Sequence, residues 1–289
     1  MEEWLQPTRL IDCGHPRVVE AAGAATEGAG DAGQKALLLY FFVRDAIKYG
    51  VATKFDMLKA SEVLELGYGG AIPKTTLFVA LLRACRIPAR MRMVSLNFAV
   101  NAGYGMPDNV YGDHAYTEVF LEGMWIKLDS YIIDSPLYAS ASSKIKTLGW
   151  AQGYGVHAQG ANEWDGFSDS FVQYVAPAIT ADEPRGARQA SFARRAAHGA
   201  RRADRPPAAR APRCVLKVSG ELRHSGAAGV HRDMPQTDAD FGVVVDMEDF
   251  KARVKGSPFE GLRSMKMRVP LVFMAAGWNK RIAAARAGK

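Results

Sequence analysis

GYGGAIPKTTLFVALLRACR, residues 67–86, decides the fold of this chain. The glycine cluster makes a turn, and Pro73 fits the first turn of a helix, where its missing N–H removes no hydrogen bond. The helix then runs Lys74 to Arg86 and is apolar on nearly every face, as suits a helix inside a core. Ile87-Pro88-Ala89 ends it, because the residue before a proline is driven out of the helical region. Upstream, Lys35 to Tyr49 reads as a second, mostly buried helix and Leu58 to Leu66 as a short third. Downstream, Arg90 to Val100 alternates apolar and polar residues in its first half, the period of a strand. Ala115 to Leu121 and Met124 to Leu128 are two further strands joined by Glu122-Gly123, a two-residue hairpin connection. Helices followed by an antiparallel sheet make an α+β domain.

The 289 residues can bury a full core, and 48% apolar with 23% charged residues is an ordinary globular balance. No apolar run reaches membrane-span length, and Met1-Glu-Glu-Trp lacks the layout of a secretory signal. Cys13, Cys85 and Cys214 show no CxxC spacing, so neither a disulfide framework nor a cysteine zinc site is expected. These features describe a soluble, cytoplasmic protein with no membrane partner. The net charge of +7 is unevenly spread. Residues 1–180 hold 15 basic and 19 acidic side chains, and residues 181–289 hold 22 and 11. Within Arg185–Arg213 nine of 29 residues are arginine and ten alanine, with Asp204 the single acid. This stretch reads as a disordered linker, as out-of-frame translation of GC-rich DNA, or as a basic arm for nucleic acid. Nucleic acid is the least favoured of the three, since Phe192 is the single aromatic residue of the stretch and gives no interleaved series for base stacking. The expected organisation is a domain at 1–180, a linker at 181–232 and a small α/β segment at 233–289. Within that segment, Phe241–Asp246 and Val269–Met274 are candidate strands and Trp278–Arg286 a candidate helix. Whether these form a subdomain or join the first domain stays open.

A thiol nucleophile is best placed at a helix N-terminus, where the macrodipole and free N–H groups favour the thiolate. It needs a histidine to take its proton and an acid or amide to fix the imidazole. Position 71, in the turn before the Lys74 helix, is such a place. His114 opens the first hairpin strand and Asp129 closes the second, so both fall at the open end of one hairpin. Position 71 itself is alanine.

The linked motifs are Gly69-Gly-Ala-Ile-Pro-Lys74, Ala80-Leu-Leu-Arg-Ala-Cys-Arg-Ile-Pro-Ala-Arg90, His114-Ala-Tyr, Glu118-Val, Gly123-Met-Trp125 and Leu128-Asp129. Their order and spacing over Lys35–Leu137 resemble the transglutaminase-like superfamily of papain-fold cysteine hydrolases and acyltransferases. The resemblance implies His114 as general base, Asp129 as its orienting acid and Ala71 at the vacated nucleophile position. It implies a peptide or small amide substrate and no metal or organic cofactor. The chain as written would then be catalytically dead. Alternatives are a pseudoenzyme that binds peptide without turnover, or nucleic-acid binding through the basic half. Cys85 is fourteen residues along the helix from position 71, about 21 Å away at 1.5 Å per residue, and cannot substitute. Thr75 and Thr76 are expected to point elsewhere. Lys74 and Arg83 read as solvated or helix-supporting charges, and Tyr116, Phe120 and Trp125 as core.

Overall fold

A computed structural model describes residues 1–105, 111–170, 237–254 and 271–289. The basic segment 181–232, with Cys214, lies outside the described residues. Helix α1 spans Pro16–Ala25 and α2 spans Ala32–Asp45, started by Asp31, whose carboxylate accepts from the Gln34 N–H at 2.8 Å. The expected helix over 35–49 thus starts three residues earlier and stops at Asp45. Its tail instead forms strand β1, Lys48–Tyr49. Helix α3, Ala60–Leu66, closes on Gly67 at φ +68°, a left-handed C-terminal stop, and leads into β2, Tyr68–Gly69, parallel to β1.

Helix α4, Ala71–Ala84, is the expected central helix. Every residue from Ile72 to Arg83 is buried. It packs against α1, α2, α3 and the sheet. The sheet has four antiparallel strands: β3 (Ala89–Asn97), β4 (Tyr111–Leu121), β5 (Met124–Leu128) and β8 (Thr237–Val244). Their order is β5-β4-β3-β8. The expected α+β architecture, helices packed on an antiparallel sheet, is therefore the one observed. β8 pairs with β3 and so extends this sheet, which resolves what the sequence left open for Phe241–Asp246.

Helix α5, Ser135–Leu148, is capped by Asp134 and stopped by Gly149 in the left-handed region. Two two-residue strands follow, β6 (Gln152–Gly153) and β7 (Val156–His157). A helix at Met247–Val254 follows β8. The C-terminal helix is Leu271–Arg286, and it corrects the strand expected at 269–274, whose described part is helical. A short apolar run such as Leu-Val-Phe-Met looks alike in a buried strand and a buried helix, and here it is continuous with the helix-forming residues after it. This helix lies against the body. Asn279 accepts from the Val51 N–H and donates to the Val51 carbonyl, each at 2.8 Å. Among the described residues no helix is long and apolar enough to cross a membrane.

The β4–β5 turn sets the register of the hairpin, with Leu121 opposite Met124 and Thr117 opposite Leu128. Both turn residues have positive φ, +49° at Glu122 and +84° at Gly123, as the tight primed turns require. A Cβ on Gly123 would meet nothing within 4 Å, so the cost of one is conformational alone. Gly123→Ala is expected to lower stability by about 1 kcal/mol. Glu122→Asn, better suited to the left-handed region, is expected to raise it slightly. Shifts of the urea midpoint at unchanged slope check both.

Candidate active site

Ala71 is the first residue of α4, so the helix begins three residues before Lys74. Gly70 precedes it as N-cap, and its carbonyl accepts from the Lys74 N–H at 3.0 Å. Gly69 must be glycine, because a Cβ there would lie 2.9 Å from the Pro73 Cβ. One turn beyond Ala71, the Thr75 hydroxyl donates to the Ala115 carbonyl at 3.1 Å. Ile72 and Ala115 share one buried apolar cluster. The residues next to Ala71 and next to His114 are thus packed into the same region.

His114 is the fourth residue of β4, opposite Val94 on β3, rather than its first. Asp129 directly follows β5. The hairpin register puts Asp129 beside the His114 end of β4, and His114 Nε2 lies 2.8 Å from Asp129 Oδ1. Both are buried, at 5% and 1% exposure, so the contact is shielded from water. Burial pushes the Asp129 carboxyl above the usual carboxylate range, and the His114 contact offsets part of that push. The Asp129 N–H donates to Ser170 Oγ at 3.2 Å.

Asp129 opens a buried turn ending at Asp134, and several elements hold it. The Ile132 N–H donates back to the Asp129 carbonyl at 3.2 Å. Ser130 Oγ and the Tyr40 hydroxyl share a 2.6 Å hydrogen bond. The Tyr131 hydroxyl meets Thr75 Oγ1 at 2.7 Å and Thr117 Oγ1 at 2.9 Å. Asp134 accepts from the Tyr49 N–H at 2.9 Å and pairs with Arg286 of the C-terminal helix at 2.7 Å.

Two expectations about charge need correction. Lys74 is fully buried, and its Nζ donates to the Ile132 carbonyl at 2.8 Å and the Arg44 carbonyl at 3.2 Å. Arg83 is buried too, with Nε donating to the Ala89 carbonyl at 3.0 Å. Neither is solvated. Their acceptors are backbone carbonyls of other segments, which a helical pattern does not reveal. Thr75 and Thr76 are also buried, and the Thr75 hydroxyl is committed to Ala115 and Tyr131. Tyr116 is in the core. Phe120 and Trp125 instead form a half-buried pair, with the Arg90 guanidinium 3.8 Å from the Trp125 ring centre.

Cys85 caps the far end of α4 from Ala71. Cys13 is buried, and burial raises its thiol. Among the described residues no three metal-ligating side chains converge. Sequence reasoning missed Lys74, Thr75, Tyr131, Asp134 and Ser170 as supports of the site. The only signal was a lysine inside an otherwise apolar helix.

Residues 20–130, which include Ala71, His114 and Asp129, match the family model of the transglutaminase-like superfamily. Among solved structures, the chain is similar to a candidate cysteine protease from Cytophaga hutchinsonii, at 20% identity and a TM-score of 0.37. That likeness covers 45% of this chain and 42% of the other. A candidate protease from Parabacteroides distasonis is 13% identical with a TM-score of 0.29, covering 38% of this chain and 22% of that one. The chain thus spans less than half the length of either structure. No curated protein matches it.

Burial brings the Lys74 amine down from its ordinary 10.5 to about 7, against the opposing pull of Asp134 and Asp45. Between these two values the unfolded chain keeps a proton that the folded chain has released. Stability therefore rises with pH across this window, by at most about 1.4 kcal/mol per pH unit from this group. From pH 7 to pH 9 the native chain should gain about 2 kcal/mol more than Lys74→Met. Urea unfolding at the two pH values measures this, and equal gains in both chains would refute it.

Proposed function

We propose that this chain carries a transglutaminase-like, papain-type site for acyl transfer from an amide or peptide bond, silent as written because alanine stands at the nucleophile position. The observation that carries this reading is the buried His114–Asp129 contact at 2.8 Å, in a chain whose residues 20–130 match the superfamily model. The first residue of α4 supports it further. A thiolate there would sit at the positive end of the helix dipole, beside unpaired N–H groups of the first turn.

In an active relative with cysteine at 71, the thiolate would attack the amide carbonyl and form a tetrahedral adduct. Asp129 faces Nε2 of His114, so proton exchange with the group at 71 would run through Nδ1. The imidazolium would then protonate the leaving amine as the C–N bond breaks. The thioester left on the cysteine would pass its acyl group to water or to an amine. No step needs a metal or an organic cofactor. With a methyl group at 71 the first bond cannot form, and loss of a triad nucleophile costs many orders of magnitude in rate.

Restoring the thiol tests this reading. In the full chain, Ala71→Cys is treated with limiting iodoacetamide at pH 6, alone and combined with His114→Ala, and the labelled cysteine is mapped by mass spectrometry. Selective labelling at position 71, at least tenfold faster with His114 than without it, is expected. Labelling no faster than at Cys13 or Cys85 would reject the reading. Amide turnover by the native chain that is lost in His114→Ala would reject the silence assigned to Ala71.

A further inference from the structure

Lys74 poses a physical problem that fold stability does not answer. Burying an amine in a dry interior costs free energy, either as an ammonium stripped of water or as the proton it gives up near pH 7, and a methionine of similar shape would avoid that cost. The amine nevertheless sits in the first turn of α4, three residues after Ala71, with no exposure to solvent. Its two acceptors are informative. The Arg44 carbonyl belongs to the last turn of α2, where helix carbonyls lack intrahelical partners. The Ile132 carbonyl is the far corner of the turn that Asp129 opens and that the Ile132 N–H closes onto Asp129. One side chain therefore ties the start of α4 to the turn holding the acid. Thr75, the next residue, makes a second tie to the same turn through Tyr131.

We propose that Lys74 is a positioning residue of the candidate site, fixing the distance between the helix end at Ala71 and the turn that carries Asp129. It touches neither His114 nor a reacting atom and acts through the backbone of residues 129–132. Asp45, Asp134, Arg44 and Arg286 are the charged groups around the amine. The two carboxylates attract its protonated form and the two guanidinium groups oppose it, so the hydrogen bonds to the two carbonyls are what fix its position. The inference rests on the proposed site only for its catalytic meaning, since the geometry it assigns to Lys74 exists with alanine at 71.

The test uses the native chain, labelled with ¹³C at histidine. The imidazole Cε1–H resonance of His114 is compared in the native chain, Lys74→Met and Asp129→Asn, with exposed His15 as the control. If Lys74 positions Asp129, Lys74→Met moves the His114 resonance at least half of the way towards its place in Asp129→Asn, while His15 stays put. In the Ala71→Cys background the same substitution should slow the His114-dependent alkylation at least tenfold without changing the rate at Cys13. An unmoved His114 resonance in a folded Lys74→Met chain overturns the proposal. If that variant does not fold, Lys74→Gln, which keeps an N–H donor, is read in the same way. Loss of the fold in both makes Lys74 a folding residue and also overturns it. A displaced His114 resonance without His114-dependent labelling at position 71 keeps the positioning role and rejects only the reading of position 71.

Discussion

The turn Asp129–Asp134 is the constraint on which the rest of the structure depends. All six residues are buried. Irregular backbone normally runs over the surface, because inside a protein each of its polar groups needs a partner that water would otherwise supply. Here the partners come from α2, α4, β1, β4 and the C-terminal helix. Burying this one turn therefore fixes how those elements meet. The aromatic core repeats the arrangement, with Tyr131 4.7 Å from Phe78 of α4 and 6.1 Å from Tyr40 of α2, ring centre to ring centre.

The hairpin and the central helix were legible in the sequence because their signals are local. Strand alternation and Glu122-Gly123 fix the pairing of β4 with β5, and that pairing is what brings Asp129 to His114. Where signals are not local, legibility ends. Lys74 finds its acceptors 30 and 58 residues away, so no window of sequence could separate it from a solvated helix charge. Leu271–Met274 is ambiguous for a different reason, since its apolar run fits either period. The place of β8 beside β3 depends on a pairing across more than a hundred residues, and nothing in Phe241–Asp246 names its partner.

The C-terminal helix adds a part that the family match does not contain. It lies beyond residue 130, yet Arg286 reaches Asp134 and the Tyr49 carbonyl, while Asn279 holds Val51. Gly50, next to Val51, donates to the Gly69 carbonyl in the turn before Ala71. One helix from the end of the chain therefore braces both approaches to the candidate site, the glycine turn and the acid turn. Rigid support of this kind is what a site needs if its groups are to stay within a fraction of an ångström of a working geometry.

Stability alone does not account for the groups found around position 71. A buried ionisable pair is often no better for folding than apolar residues of the same volume, and a buried lysine is worse. His114 with Asp129, and Lys74 beneath the turn, are both of this costly kind. With alanine at the start of α4 both are in place, and the Gly70 carbonyl accepts from the Lys74 N–H. Under the proposed reading, the loss at position 71 is chemically complete and structurally almost silent.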